Sequence, residues 1–182
     1  KSYTIDTSLV VLRKQLTVLE QQIAHLQLVR NRLAHRCAQM ENVMALHGEL
    51  QEVTIGEAKP RYLLWAAVEQ PQSFREISIA TKKCFSQALQ EALPIYFQTG
   101  VIVPYGHIVE GRYTQASAAF LPIEKTKKAK NIRLLPRGRV VRIYHCGDYA
   151  SVNVSYEKLL QFCRERGLEI ISDSYEFCIN DY

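Results

Sequence analysis

Between Asp6 and His47 the chain has neither proline nor glycine, and its apolar residues fall in steps of three and four: Leu9, Leu12, Leu16, Leu19, Ile23, Leu26, Leu33, Cys37, Met40 and Met44. That rhythm is a heptad seam over about five heptads. It predicts one helix, capped at its start by Thr7 or Ser8 and stopped at Gly48. At 1.5 Å per residue the helix would be roughly 60 Å long. A helix of that length cannot bury its stripe within so small a chain, so the seam calls for another helix, most simply from a second copy. The alternative is a long helix packed on its own domain. Arg30 takes the seam position before Leu33, where a lone polar residue sets register at some cost in stability.

After Gly48 the texture changes, and the chain divides into residues 1–50, a dimerisation coiled coil, and 51–182, a mixed domain. Val53–Glu69 is strand-like, strongest at Arg61–Val68. Ser73 to Glu76 has the spacing of a capping box. It opens a helix with Phe74, Ile77, Phe85, Ala88, Leu89 and Leu93 on one side, ended by Pro94. Val101–Val109 and Ala116–Ile123 read as strands. Lys125–Asn131 reads as a basic loop, either solvated or phosphate-binding. Arg139–Cys146 is a strand behind a Pro-Arg-Gly turn. Val152–Arg166 is a helix closed by Gly167, and Ile171–Ile179 is a last strand. The order strand, helix, strand, strand thus recurs, with one closing strand wanting after the second round. The fold class is α+β, two βαββ units forming an antiparallel sheet with helices on one face and a groove on the other.

Composition narrows the class. At 47% hydrophobic and 23% charged the chain is an ordinary globular protein. No apolar run approaches the roughly 18 residues of a membrane helix, and no secretory signal opens the sequence. Five scattered cysteines without C-x-x-C spacing read as reduced thiols in a cytoplasmic protein, with no metal site and no cofactor. The net charge of +5 tolerates a nucleic acid nearby without demanding one.

Glu176 is the residue that asks for a function. Ile171, Tyr175, Phe177 and Ile179 share one phase of the last strand and are expected to cover the helices. Glu176 would then point to the opposite face with Ser172, Ser174 and Cys178. There it is either a surface carboxylate on the wet side of a sheet or the floor of a groove that receives a cation.

Two stretches, LPRGRVVRIYHCGDY and SYEKLLQFCRERGLEIISDSYEFCI, resemble the effector-binding domain of MerR-family multidrug-sensing regulators, a GyrI-like domain. The likeness is clearest over Leu135–Ile179 and weaker over Val53–Glu124. The long helix lies where that family keeps its dimerisation helix. The resemblance implies a homodimer that binds lipophilic, often cationic small molecules in an aromatic pocket with Glu176 at its base. It also implies a relay to promoter DNA and RNA polymerase through an N-terminal DNA-binding domain that this chain lacks, so that the chain is a fragment of a longer regulator. Tyr105, Tyr144, Phe120, Trp65 and Tyr149 are the candidate pocket walls, each alternatively an ordinary packing residue. Tyr144 could face either side. Val152 and Asn153 stand where some relatives carry aromatics. The resemblance also leaves two rivals: a GyrI-like hydrolase of small strained-ring compounds using a glutamate and a tyrosine, and a dimeric protein-interaction module. His107 and His145 are read as strand residues without partners. The expectation is a sensor and not an enzyme.

Overall fold

The computed structural model describes residues 4–45, 50–126 and 130–179. Helix α1, Ile5–Met44, is a single run of 40 residues. Its cap is Thr4, one turn earlier than expected. The Thr4 side chain accepts from the Thr7 backbone N–H while the Thr7 hydroxyl returns to Thr4, a reciprocal box that satisfies donors the first turn leaves open. Gly48, the expected stop, lies outside the described residues, as does the centre of the basic stretch Lys125–Asn131. Along α1 the seam residues from Leu9 to Leu26 remain between 46% and 64% exposed, so none of the described residues covers them.

Near its C-terminal end α1 meets the domain through a different stripe, Arg32, His35 and Arg36, spaced to share one face. Arg32 pairs with Glu124 at 3.1 Å, and His35 packs on Tyr96. The buried Arg36 donates to the carbonyls of Cys178 and Ile179 at 3.0 and 2.8 Å.

The domain runs β1 (Thr54–Ala58), β2 (Arg61–Ala67), α2 (Phe74–Gln90), β3 (Gly100–Val103), the short α3 (Tyr105–Val109), β4 (Ala118–Ile123), β5 (Ile132–Leu135), β6 (Gly138–Arg142), a single 3-10 turn at Tyr149–Ser151, α4 (Asn153–Glu165) and β7 (Ser174–Phe177). Five strands form a curled antiparallel sheet in the order β5-β2-β4-β3-β7, and β1 pairs with β6 in a separate ribbon. The architecture is the expected α+β, with a long helix ahead of a sheet whose two main helices lie on one face. On that face α2 sets Ala80, Cys84 and Ala88 against Leu64, Ala119 and Leu121, and α4 sets Tyr156 and Leu160 against Val101 and Val103.

Several boundaries differ from expectation for identifiable reasons. Ser73 caps α2 without using its side chain, so the capping box is not closed. Phe74 and Leu89 stay exposed, because the buried stripe is the narrower Ala80–Cys84–Ala88 row. Residues 101–109 are not one strand. Pro104 ends β3 and α3 begins, its first backbone N–H held by Asp173 at 3.1 Å. Strand β6 stops at Arg142, because the following residues turn back toward α4 through Gly147 at φ +139°. Residues Ile132–Leu135, unassigned in the sequence, form β5. Gly167, at φ +61°, closes α4 as expected.

Candidate functional site

Strand register decides where Glu176 points. On β3 and β7 the partners are Val101↔Glu176 and Ile102↔Tyr175. Directly paired residues share a face, and Val101 lies under α4. Glu176 therefore projects to the helix side, and Tyr175 and Phe177 to the opposite, concave side, where they pack with Phe120, Leu63 and Ile102. This inverts the expected facing of the strand. Only Ser174–Phe177 is strand, and Ile171 is 88% exposed instead of covering a helix.

Under α4 the carboxylate is largely taken out of water beside Tyr156 and Tyr149. The Tyr156 hydroxyl donates to Glu176 Oε1 at 2.5 Å. Tyr113 stacks on Tyr156 with ring centres 5.2 Å apart and 12° between planes. Tyr149 presents its buried hydroxyl to the same carboxylate without closing a hydrogen bond of ordinary geometry, and its ring edge meets Phe74 at 5.3 Å. Burial pushes the Glu176 carboxyl above the usual carboxylate range, opposed by the hydroxyls of Tyr156 and Tyr149 and by nearby His145. Burial and the Glu176 charge raise both tyrosines well above ordinary phenols, so they act as hydrogen-bond donors and not as bases. No lysine or arginine pairs with Glu176 among the described residues.

Beside this group His145 bonds Ser155 Oγ through Nδ1 at 2.9 Å and the Asp148 carbonyl through Nε2 at 3.0 Å. A carbonyl only accepts, so Nε2 carries a hydrogen. His145 thus has partners the sequence reading did not give it, and it lies in a loop, not a strand. His107 is likewise in α3, bonded to the Gln115 carbonyl.

The candidate wall residues divide. Tyr149 comes together with Glu176. Phe120 is wholly buried on the concave side, and Trp65 shares that side beneath the Arg133 guanidinium, so neither joins Glu176. Tyr144 lies beyond β6 and is close enough to Arg61 to influence its charge. Tyr105 begins α3 and is 37% exposed. Tyr156, Tyr113 and Phe74 were missed. Tyr156 carried a readable signal, since Val152, Tyr156 and Cys163 are the buried stripe of α4.

No protein-family profile matches the chain, and no curated protein sequence matches it. Among solved structures it is similar to the cryo-electron microscopy structure of the EcmrR–DNA complex in EcmrR-RPo, at 16% identity and a TM-score of 0.53. The alignment covers 94% of this chain but 64% of that one, so the chain spans less than two thirds of its structural neighbour. At this identity the likeness is one of fold. Among the described residues no helix is long and apolar enough to cross a membrane.

Proposed function

We propose that this chain is the effector-sensing part of a MerR-type transcription regulator, and that Glu176 and its tyrosines receive lipophilic cations. One observation carries the reading: a carboxylate largely withdrawn from water beside Tyr156 and Tyr149, whose rings pack in turn on Tyr113 and Phe74, with a neutral hydroxyl as its hydrogen-bond donor and His145 nearby. A lone charge in such a place is costly, and an arriving cation offsets that cost. The rings add area and quadrupole attraction without prescribing one shape. Breadth of specificity follows, because no fixed hydrogen-bond pattern is imposed on the guest.

The fold likeness to a DNA-complexed protein supports a regulatory role. In this reading α1 pairs with a second copy through its exposed seam, and promoter DNA and RNA polymerase are engaged through a further domain. The test is calorimetric titration with a lipophilic cationic dye and its uncharged analogue. Saturable binding of the cation, weakened at least ten-fold in Glu176→Gln while the analogue is unaffected, supports sensing. Equal affinity in that variant removes the charge from the account.

The placing of Tyr156 within hydrogen-bond reach of Glu176 supports a second reading, hydrolysis of small strained-ring compounds with the glutamate activating water. Turnover by the native chain that Glu176→Gln abolishes would establish it.

A further inference from the structure

The concave side of the sheet carries the opposite charge. Arg61 on β2 and Arg133 on β5 share this side, because the register pairs Arg61↔Leu135 and Leu63↔Arg133. They are diagonal neighbours, about 7–8 Å apart in an antiparallel pair. Each guanidinium lies over an aromatic ring: Arg61 over Phe177 at 4.5 Å, and Arg133 over Trp65 at 5.1 Å. Phe177 belongs to β7, three strands from β2, so the curl of the sheet brings the two edges together. Phe120, Leu63 and Ile102 form the sealed floor between them.

Neither guanidinium has a hydrogen bond or ion pair within the described residues. Arg32, Arg36 and Arg137, by contrast, are each matched to a carboxylate or to carbonyls. Arg61 stays exposed as a residue; the local burial of its guanidinium against the ring lowers its pKa, and Tyr144 beside it works the other way. The aromatic faces beneath the two arginines hold the guanidinium planes and leave their N–H edges for a planar acceptor, and a carboxylate matches that fork in two bonds.

We propose that this concave side is a second ligand site, taking a flat aromatic anion whose carboxylate is clasped by Arg61 and Arg133 and whose ring lies against the partly exposed Trp65 and Phe177. It is independent of the cation site, which faces the other way under α4.

Calorimetry with naphthalene-2-carboxylate tests it, with naphthalene-2-carboxamide as the uncharged control. The expected result is saturable binding of the carboxylate, at least ten-fold weaker binding of the amide, and a five-fold or greater loss in both Arg61→Gln and Arg133→Gln. Trp65, the sole tryptophan, should change its emission with the same saturation curve. Glu176→Gln should leave this binding unchanged. Should Arg61→Gln fail to fold by circular dichroism, Arg133→Gln and the charge-keeping Arg61→Lys carry the test, the lysine retaining part of the affinity. The proposal is overturned by equal binding of acid and amide, by native affinity in the arginine variants, by loss of binding in Glu176→Gln, or by no saturable binding at millimolar ligand. Anion binding with no cation binding would remove the effector reading of Glu176 and leave this one standing.

Discussion

The two faces of one sheet solve opposite problems with the same material. Under α4 a carboxylate sits beside two tyrosines, one of which donates to it. On the concave side guanidiniums sit on rings that offer only a negative face. Glu176 and Phe177 are sequence neighbours, yet they belong to different chemical surroundings, because successive strand residues point to opposite sides. The difference lies in how each charge is attended. The anion has hydroxyl hydrogen bonds and is still pushed toward its neutral form. Among the described residues the cations have quadrupole attraction and no hydrogen bond, which suits a group that cannot give up its proton.

The contrast can be broken most severely at Gly100, where both faces depend on a missing side chain. A Cβ there would stand 2.2 Å from Phe120 Cζ and 2.4 Å from the Glu176 carbonyl oxygen. Gly100→Val should cost more than about 4 kcal/mol and abolish cooperative unfolding in urea. A sharp transition like that of the native chain would show that the strands part easily. Next, Phe120→Ala should cost about 3–5 kcal/mol, read in the same experiment. Its damage should fall on the concave side, so a surviving fold should keep the native response to pH.

Tyr156→Phe should act on the helix side alone. It strips the Glu176 carboxylate of its hydroxyl donor and should cost about 1–3 kcal/mol where Glu176 is ionised. The penalty should shrink in acid, where the protonated carboxyl no longer needs that donor as an anion does. A penalty independent of pH would mean that the ring, and not its hydroxyl, is what matters.

Glu176→Gln is the smallest and the most specific. The folded carboxyl holds its proton to a higher pH than the unfolded one. The folded chain therefore binds more protons in the window between the ordinary carboxylate value and the raised one, and stability falls as pH rises through it. The glutamine variant should lose this slope. It should match the native chain within about 1 kcal/mol in acid and equal or exceed it at neutral pH, by thermal melts across the range.

Much of this layout was legible in the sequence where one pattern repeats over many turns. The three-four rhythm of α1 and the glycine closing α4 gave their elements to within a few residues. Strand β5 was not legible, because four residues hold two turns of alternation and sit against a basic loop. Glu176 stood out as an oddity, but its side did not. The alternation says which residues travel together and leaves open which set lies under a helix. On β3, Val101, Ile102 and Val103 are all buried, so the neighbouring strand supplies no polar phase to orient it. The arginine pair was hidden for another reason: Arg61 and Arg133 are 72 residues apart and meet only through register.

Arg36 ties α1 to the end of β7, two and three residues past Glu176. From that knot to Ile5 the helix runs 31 residues, roughly 45 Å. A pivot of one degree at the knot sweeps the far tip through about 0.8 Å at that length. The helix is a pointer whose short arm rests beside the half-buried acid, and any displacement there would be enlarged at its far tip.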